Sequence, residues 1–183
     1  LRNDLDASGV SLGVIYKGES SQVLSGGLER KNSFLQNLDI KLLIDADKLL
    51  EWQGTSFFIY GLADWGVSQG FKPTLFVGDE QGTSNLETSS DIFKLYEIWI
   101  QQKFAEEQAS VLFGIHDLNS EFYVTESSTL FLNASFGIGR ELSQTGLMGP
   151  SIFPSTTLAL RLKMESANGF YLQSGIFNAL AGD

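Results

Sequence analysis

Apolar side chains occupy every second position in several segments of about ten residues along the chain. Between Leu158 and Met164, for example, the apolar set alternates with Ala159, Arg161 and Lys163. Successive side chains of a β-strand point to opposite faces, whereas a helix would spread both sets around its circumference. The alternation therefore predicts strands with one apolar face and one polar face.

About seven such segments are present in the sequence. They cover residues 10–17, 37–45, 57–65, 95–101, 111–116, 157–164 and 170–177. Segment 57–65 is apolar on both faces apart from Asp64, which leaves its register open. In segment 95–101 the alternation places Tyr96 with Ile98 and Ile100, on the face opposite Glu97.

The connections between these segments are alternately long and short. The long ones are residues 18–33, 67–90 and 117–155, and the short ones are residues 46–54, 105–108 and 166–169. Outer-membrane barrels show this alternation, because their periplasmic turns are tight and their outer loops are long. We therefore predict an all-β, antiparallel transmembrane β-barrel. An odd number of strands leaves an edge that lipid cannot satisfy, so we expect residues 1–183 to be one barrel segment, incomplete at its C-terminus.

Composition excludes several other classes of protein. The absence of cysteine excludes disulfides and thiolate zinc sites, and the net charge of -10 argues against nucleic-acid binding. A single histidine and the lack of a G-x-S-x-G motif give no catalytic centre. The sequence thus predicts no enzyme, no cofactor and no metal ion. It also has no run of roughly 20 apolar residues, as a transmembrane helix would require.

Several motifs follow one another in a characteristic order. They are Ser25-Gly26-Gly27, Asp45-Ala46-Asp47-Lys48-Leu49, the stretch 77–87, Leu95-Tyr96-Glu97-Ile98-Trp99, the stretches 114–122 and 130–137, and Phe153-Pro154. Together they resemble the carbohydrate-selective porin family (OprB type) of Gram-negative bacteria. The resemblance implies an outer-membrane barrel of about 16 strands, of which this chain would supply less than half. It also implies passive uptake of sugars without cofactor, metal or energy input.

Strand parity selects candidate pore-lining residues. If the leucines flanking Arg161 face lipid, Arg161 and Lys163 face the pore, because a cation on the lipid face costs ~2–4 kcal/mol at the midplane. The same parity turns a further set inward, with His116 at a strand end as a pore-wall or surface residue. This set is Asp39, Lys41, Glu97, Trp99 and Gln101. Glu97 is the expected acidic counterpart of Arg161.

Paired charges and an aromatic ring suit a sugar, whose hydroxyls form hydrogen bonds and whose C–H face stacks on rings. The alternative is that these side chains only hydrate and brace the wall. Asp79, Asn85 and Glu87 are candidates for a constriction, provided that their long loop folds into the barrel instead of lying exposed outside it.

Two other interpretations remain open from sequence alone. One is a small closed outer-membrane barrel with a structural or adhesive role, and the other is a soluble lipocalin-like or lectin-like binding protein. The preferred interpretation predicts small sugars, ions and outer-membrane lipid as partners. A second copy of the chain or a remaining barrel segment is a further partner to consider.

Overall fold

A computed structural model describes residues 2–67 and 70–182, with side chains from residue 4 onward in the first helix. Positions 68 and 69 of the predicted loop 67–90 lie outside the described residues. Seven strands follow one another in chain order within one antiparallel sheet. They are β1 (Val10–Gln22), β2 (Asn32–Asp45), β3 (Thr55–Trp65), β4 (Ile92–Phe104), β5 (Ala109–His116), β6 (Thr157–Glu165) and β7 (Tyr171–Phe177).

All seven predicted strands are present, although β1 and β2 are longer than their apolar alternation indicated. Their pairing continues through Lys17 and Asn37 to Gln22 and Asn32. The first loop is correspondingly shorter than the predicted span 18–33. The reason is that the added strand ends are mostly polar, so they carry no apolar alternation although their backbones remain paired.

The sheet is open in the described part of the chain, with β1 and β7 at its two edges. An incomplete barrel segment requires that the first strand does not pair with the last, and the strand order contains no such pairing among the described residues. The interpretation that these strands form a small closed barrel is therefore wrong. The described residues also provide no second sheet over the apolar face, so they do not form the two-sheet core of a soluble lectin-like protein.

The outward face of the sheet is apolar from one edge to the other. One row of register partners contains an apolar side chain on every strand: Val10, Ile44, Phe57, Ile100, Phe113, Leu160 and Ile176. The next row contains Leu12, Leu42, Ile59, Ile98, Ile115 and Leu158. Much of this face is exposed, including 39% of Leu160 and 51% of Phe113. An exposed apolar surface of this extent is unfavourable in water and is typical of a face that contacts lipid.

The helices of the protein are short. They are α1 (Arg2–Ala7), α2 (Ala46–Leu50), α3 (Pro73–Val77) and α4 (Arg140–Ser143), with 3-10 turns at Leu118–Ser120, Glu126–Leu130 and Ala134–Phe136. Helix α2 begins where the Asp45 carboxylate accepts hydrogen bonds from the backbone N–H groups of Asp47 and Lys48. None of the helices in the described ranges has the length and apolar character needed to cross a membrane.

A β-bulge in β4 changes which residues face inward. Tyr60 is opposite Glu97 but Gly61 is opposite Leu95, so Tyr96 is the extra residue. Leu95 is therefore 48% exposed on the outward face, while Tyr96 is 3% exposed on the inward face. The predicted placement of Tyr96 with Ile98 and Ile100 was wrong for this reason.

Two long loops, which follow β3 and β5, fold against the inward face of the sheet. In the first loop, Ser84 donates a hydrogen bond to Glu19 of β1. In the second, Pro154 accepts one from Lys94 of β4. The inward face therefore combines polar wall residues with loop residues that pack over them.

Candidate functional site

A cavity of about 680 Å³ separates the inward face of β1–β4 from the two long loops. We call it the loop-side cavity. Its wall residues include Lys17, Asp39, Lys41, Tyr60 and Glu97, and its loop residues include Asn85, Asp117, Asn119, Phe131, Phe136 and Phe153. Charged, amide and aromatic side chains thus surround one space of a size that accommodates a small polar solute.

Asp39 is the centre of a polar cluster on this wall. Its carboxylate accepts a hydrogen bond from Lys17 Nζ at 2.8 Å and another from the Tyr60 hydroxyl at 2.7 Å. One row away, Asn37 Nδ2 donates to Asp64 Oδ1 at 3.1 Å. Asp39 is 1% exposed, so its partners compensate a charge that burial alone would disfavour.

Lys41 lies beside this cluster with its charge directed at an aromatic ring. Its Nζ is 4.4 Å from the centre of the Tyr60 ring, which is a cation–π contact. The ring of Tyr60 also meets the ring of Tyr96 edge-on, with centroids 4.9 Å apart. Lys41 and Tyr60 therefore line the same cavity, with the Lys41 ammonium over the buried Tyr60 ring.

Glu97 anchors the second long loop at its start. Its Oε2 lies 2.9 Å from His116 Nδ1 and 3.2 Å from the backbone nitrogen of Asp117, which donates to it. The Asp117 carboxylate in turn accepts a hydrogen bond from the Tyr96 hydroxyl at 2.7 Å. The other end of the loop is tied to the same strand, because Thr156 donates to the Tyr96 carbonyl.

Burial raises the pKa of Asp117, the first residue after β5, from 3.8 to about 6. The hydrogen bond from Tyr96 opposes this increase, and the charge of Glu97 adds to it. Because the pKa is higher in the folded protein, this group's stabilising contribution is complete below about pH 4 and is lost as pH rises through about 6.

We therefore expect Asp117→Asn to remove part of the pH dependence of stability. Between pH 4 and pH 7.5 the difference in unfolding free energy between wild type and variant should change by roughly 1–3 kcal/mol. Denaturant titration of the assembled porin in lipid vesicles at both pH values measures this. A difference that stays constant with pH would contradict the assignment.

The three loop candidates occupy different positions. Asn85 lines the loop-side cavity. Glu87 holds its own loop, because its carboxylate accepts hydrogen bonds from Thr74 and from the Ser84 backbone nitrogen. Asp79 likewise accepts a hydrogen bond from Thr83 within the loop. Glu87 and Asp79 thus shape the loop, and Asn85 is the member of this set that reaches the cavity.

Trp99 lies on the inward face next to the Glu97 anchor. Its ring stacks on Phe58 with centroids 4.9 Å apart. Its register partner is Gly114, which has φ +146 and at which a Cβ would collide with the Ile98 carbonyl oxygen. Glycine therefore permits the close approach of β4 and β5 at the tryptophan.

A second cavity, of about 310 Å³, lies toward the short turns of β4–β6, and we call it the turn-side cavity. Gln101, Arg161 and Lys163 line it, on the inward face that parity predicted. Arg161 is 2% exposed. Its guanidinium donates to Ser110 and Gln101, each at 2.6 Å, and to Glu121 at 2.9 Å. The acid beside Arg161 is therefore Glu121, and not Glu97 as the sequence suggested.

The structure thus divides the predicted residues between two places. Asp39, Lys41, Glu97 and Asn85 meet at the loop-side cavity, whereas Arg161, Lys163 and Gln101 meet at the turn-side cavity. Sequence reasoning missed Lys17, although it has the same parity as the inward-facing residues of β1. It also missed Tyr60, whose segment is apolar on both faces, and Glu121, which lies in a loop without periodicity.

Comparison with known proteins agrees with this architecture. The sequence pattern of the carbohydrate-selective porin, OprB family, matches residues 29–183. The fold is similar to the high-pH structure of Pseudomonas putida OprB, with a TM-score of 0.81 and 21% identity over 96% of this chain and 42% of that one. The low-pH structure gives a TM-score of 0.55 and 17% identity over 96% of this chain and 47% of that one.

The chain spans less than half the length of both solved structures. No curated protein sequence matches it. The predicted antiparallel barrel fold and the predicted location in the outer membrane of Gram-negative bacteria are both confirmed. Because the family pattern covers most of the chain, the protein belongs to the carbohydrate-selective porin, OprB family.

Proposed function

We propose that this chain forms part of the wall of a porin through which small polar solutes, with a preference for sugars, diffuse passively. The observation that carries the proposal is the loop-side cavity, which combines charged and aromatic wall residues on the inward face of a sheet whose outward face is apolar. Diffusion of this kind needs no catalysis, cofactor or metal ion. Small sugars and ions are the proposed solutes, and lipid contacts the outward face.

Lys41, Tyr60 and Asp39 are the proposed sugar contacts. The Lys41 ammonium has three hydrogen-bond donors and no acceptor. It lies over the Tyr60 ring. Asp39 fixes the position of Tyr60 by accepting a hydrogen bond from its hydroxyl. A pyranose would meet the charged donor of Lys41 on this wall and the exposed rings of Phe131 and Phe136 on the loop side.

The remaining inward-facing candidates have supporting roles in this proposal. Glu97 and His116 anchor the second loop and thereby set the width of the loop-side cavity. Trp99 forms the aromatic surface between the two cavities, stacked on Phe58. Gln101, Arg161 and Lys163 form a second polar contact region toward the short turns.

We expect Lys41→Met to weaken sugar binding in the assembled porin. Loss of one charge-assisted hydrogen bond is worth ~1.5–3 kcal/mol, so the sugar concentration for half-maximal current block should rise about tenfold to a hundredfold. Planar-bilayer conductance with a series of mono- and disaccharides measures this.

Lys48→Met is the matched control, because Lys48 lies on α2 and pairs with Asp45 outside the cavity. Block by sugars should be unchanged in that variant. If wild type shows no sugar-dependent block, the sugar preference is wrong. If sugars block the current through Lys41→Met and Lys48→Met at the same concentrations, Lys41 is not a sugar contact.

A further inference from the structure

Three cations and three carboxylates line the turn-side cavity, and each cation has a carboxylate partner. Lys103 Nζ lies 2.9 Å from Glu107, and Lys163 Nζ lies 3.3 Å from Glu165. Both pairs are substantially exposed, so solvent screens them. Arg161 differs, because its side chain is 2% exposed and its Nε lies 2.7 Å from Glu121 Oε2.

Arg161 approaches both carboxylate oxygens of Glu121. Nη2 donates a hydrogen bond to one at 2.9 Å, and Nε lies 2.7 Å from the other as an ion-pair contact without hydrogen-bond geometry. A guanidinium can pair with a carboxylate in this way whether the carboxylate belongs to the protein or to a solute. Gln173 also donates to Glu121, so the carboxylate is held from β6 and β7 together.

Glu121 belongs to the long loop and not to the barrel wall. It follows the 3-10 turn Leu118–Ser120, whose first backbone N–H donates to the Ser151 carbonyl at 2.7 Å. Arg161, by contrast, is fixed in β6 with Ser110 and Gln101 as its neutral acceptors. The loop therefore delivers a carboxylate to an arginine that the wall has already positioned.

Resting on the proposed function, we propose that Glu121 determines specificity by occupying, as a built-in carboxylate, an arginine site that would otherwise bind the carboxylate of a sugar acid. Without Glu121 the site would contain a buried guanidinium, two neutral acceptors and the nearby Lys163. Its field would then attract anions. A tethered carboxylate has an effective concentration in the millimolar range or above, so a dilute sugar acid cannot displace it. The porin thereby favours neutral sugars.

The test is Glu121→Gln in the assembled porin, with glucose and glucuronate as probes. Gln has nearly the same size and no charge, so the site loses its internal anion. In planar bilayers the chloride-to-potassium permeability ratio should rise several-fold. Glucuronate flux into vesicles should rise about tenfold, while glucose flux should change by less than twofold. Unchanged anion permeability and unchanged glucuronate flux would overturn the proposal.

Glu126→Gln is the matched control, because Glu126 begins a 3-10 turn of the same loop and its removal changes the net charge equally. The permeability ratio and the glucuronate flux should both keep their wild-type values in this variant. An equal increase there would show that the effect of Glu121→Gln comes from the change in overall charge. Glu121→Asp keeps the carboxylate on a shorter arm and should give an intermediate glucuronate flux. If Glu121→Gln does not fold, the test rests on Glu121→Asp. A glucuronate flux in that variant as low as in wild type would contradict the proposal.

The double variant Arg161→Gln, Glu121→Gln provides a further distinction. It has lost the arginine as well, so the glucuronate gain of the single variant should disappear. If it persists, Arg161 is not the anion site. The ion-permeability arm does not depend on sugar passage, so failure of the proposed sugar function and failure of this specificity role give different results.

Discussion

Leu160→Arg should destabilise the assembled porin in lipid by ~2–4 kcal/mol, the cost of a cation on the lipid face near the bilayer midplane. Leu160 lies in the row of outward side chains that is apolar on all seven strands. An arginine there has no partner within the row, because its neighbours are Phe113 and Ile176. Chemical denaturation of the porin in lipid vesicles, followed by tryptophan fluorescence, measures the change.

Met164→Arg is the control for depth on the same strand and the same face. Met164 is one residue from the end of β6, where the cost falls to ~0–1 kcal/mol. Equal costs at the two positions, or no cost at Leu160, would show that this face does not contact the bilayer core.

Arg161→Met should destabilise the porin by about 2–3 kcal/mol, somewhat less than the usual cost of breaking a fully buried ion pair. The expected cost is lower because the Glu121 side chain is 27% exposed and is partly solvated once Arg161 is lost. Met fills the volume of the arginine stem but leaves the acceptor atoms of Ser110 and Gln101 without their donor.

Adding Glu121→Gln to Arg161→Met should recover part of this loss, because the unpaired carboxylate is then removed as well. We expect a coupling energy of at least about 1.5 kcal/mol in the double-mutant cycle, measured by the same denaturation. Strict additivity of the two single changes would mean that Arg161 and Glu121 do not stabilise one another.

Much of the fold was predictable because lipid imposes a strict rule on one face of each strand. Leu158, Leu160 and Leu162 had to share that face, and Arg161 had to take the other. The polar ends of β1 and β2 were missed, since no apolar alternation marks them. Tyr96 was assigned to the wrong face because a bulge leaves no signature in the residues themselves.

The candidate site was only partly predictable for a related reason. Parity states which side chains face inward, and it identified Asp39, Lys41 and Arg161 as doing so. It does not state what covers them. Glu121 comes from a loop whose position depends on tertiary contacts at both of its ends, and these contacts link residues far apart in the sequence.

Because β4 contains one extra residue, the parity of the residue numbers that face inward changes along this strand while its pairing continues. On one side of Tyr96 the odd-numbered positions, such as Glu97, face inward, and on the other side the even-numbered positions, such as Lys94, do so. The bulge thus absorbs one inserted residue, so every side chain beyond it keeps the face that its register partner has. Deleting Tyr96 would restore a continuous ladder and still leave Lys94 inside and Leu95 outside. Barrels of this kind can therefore accept insertions and deletions of one residue at a bulge while both their backbone pairing and their lining positions are preserved.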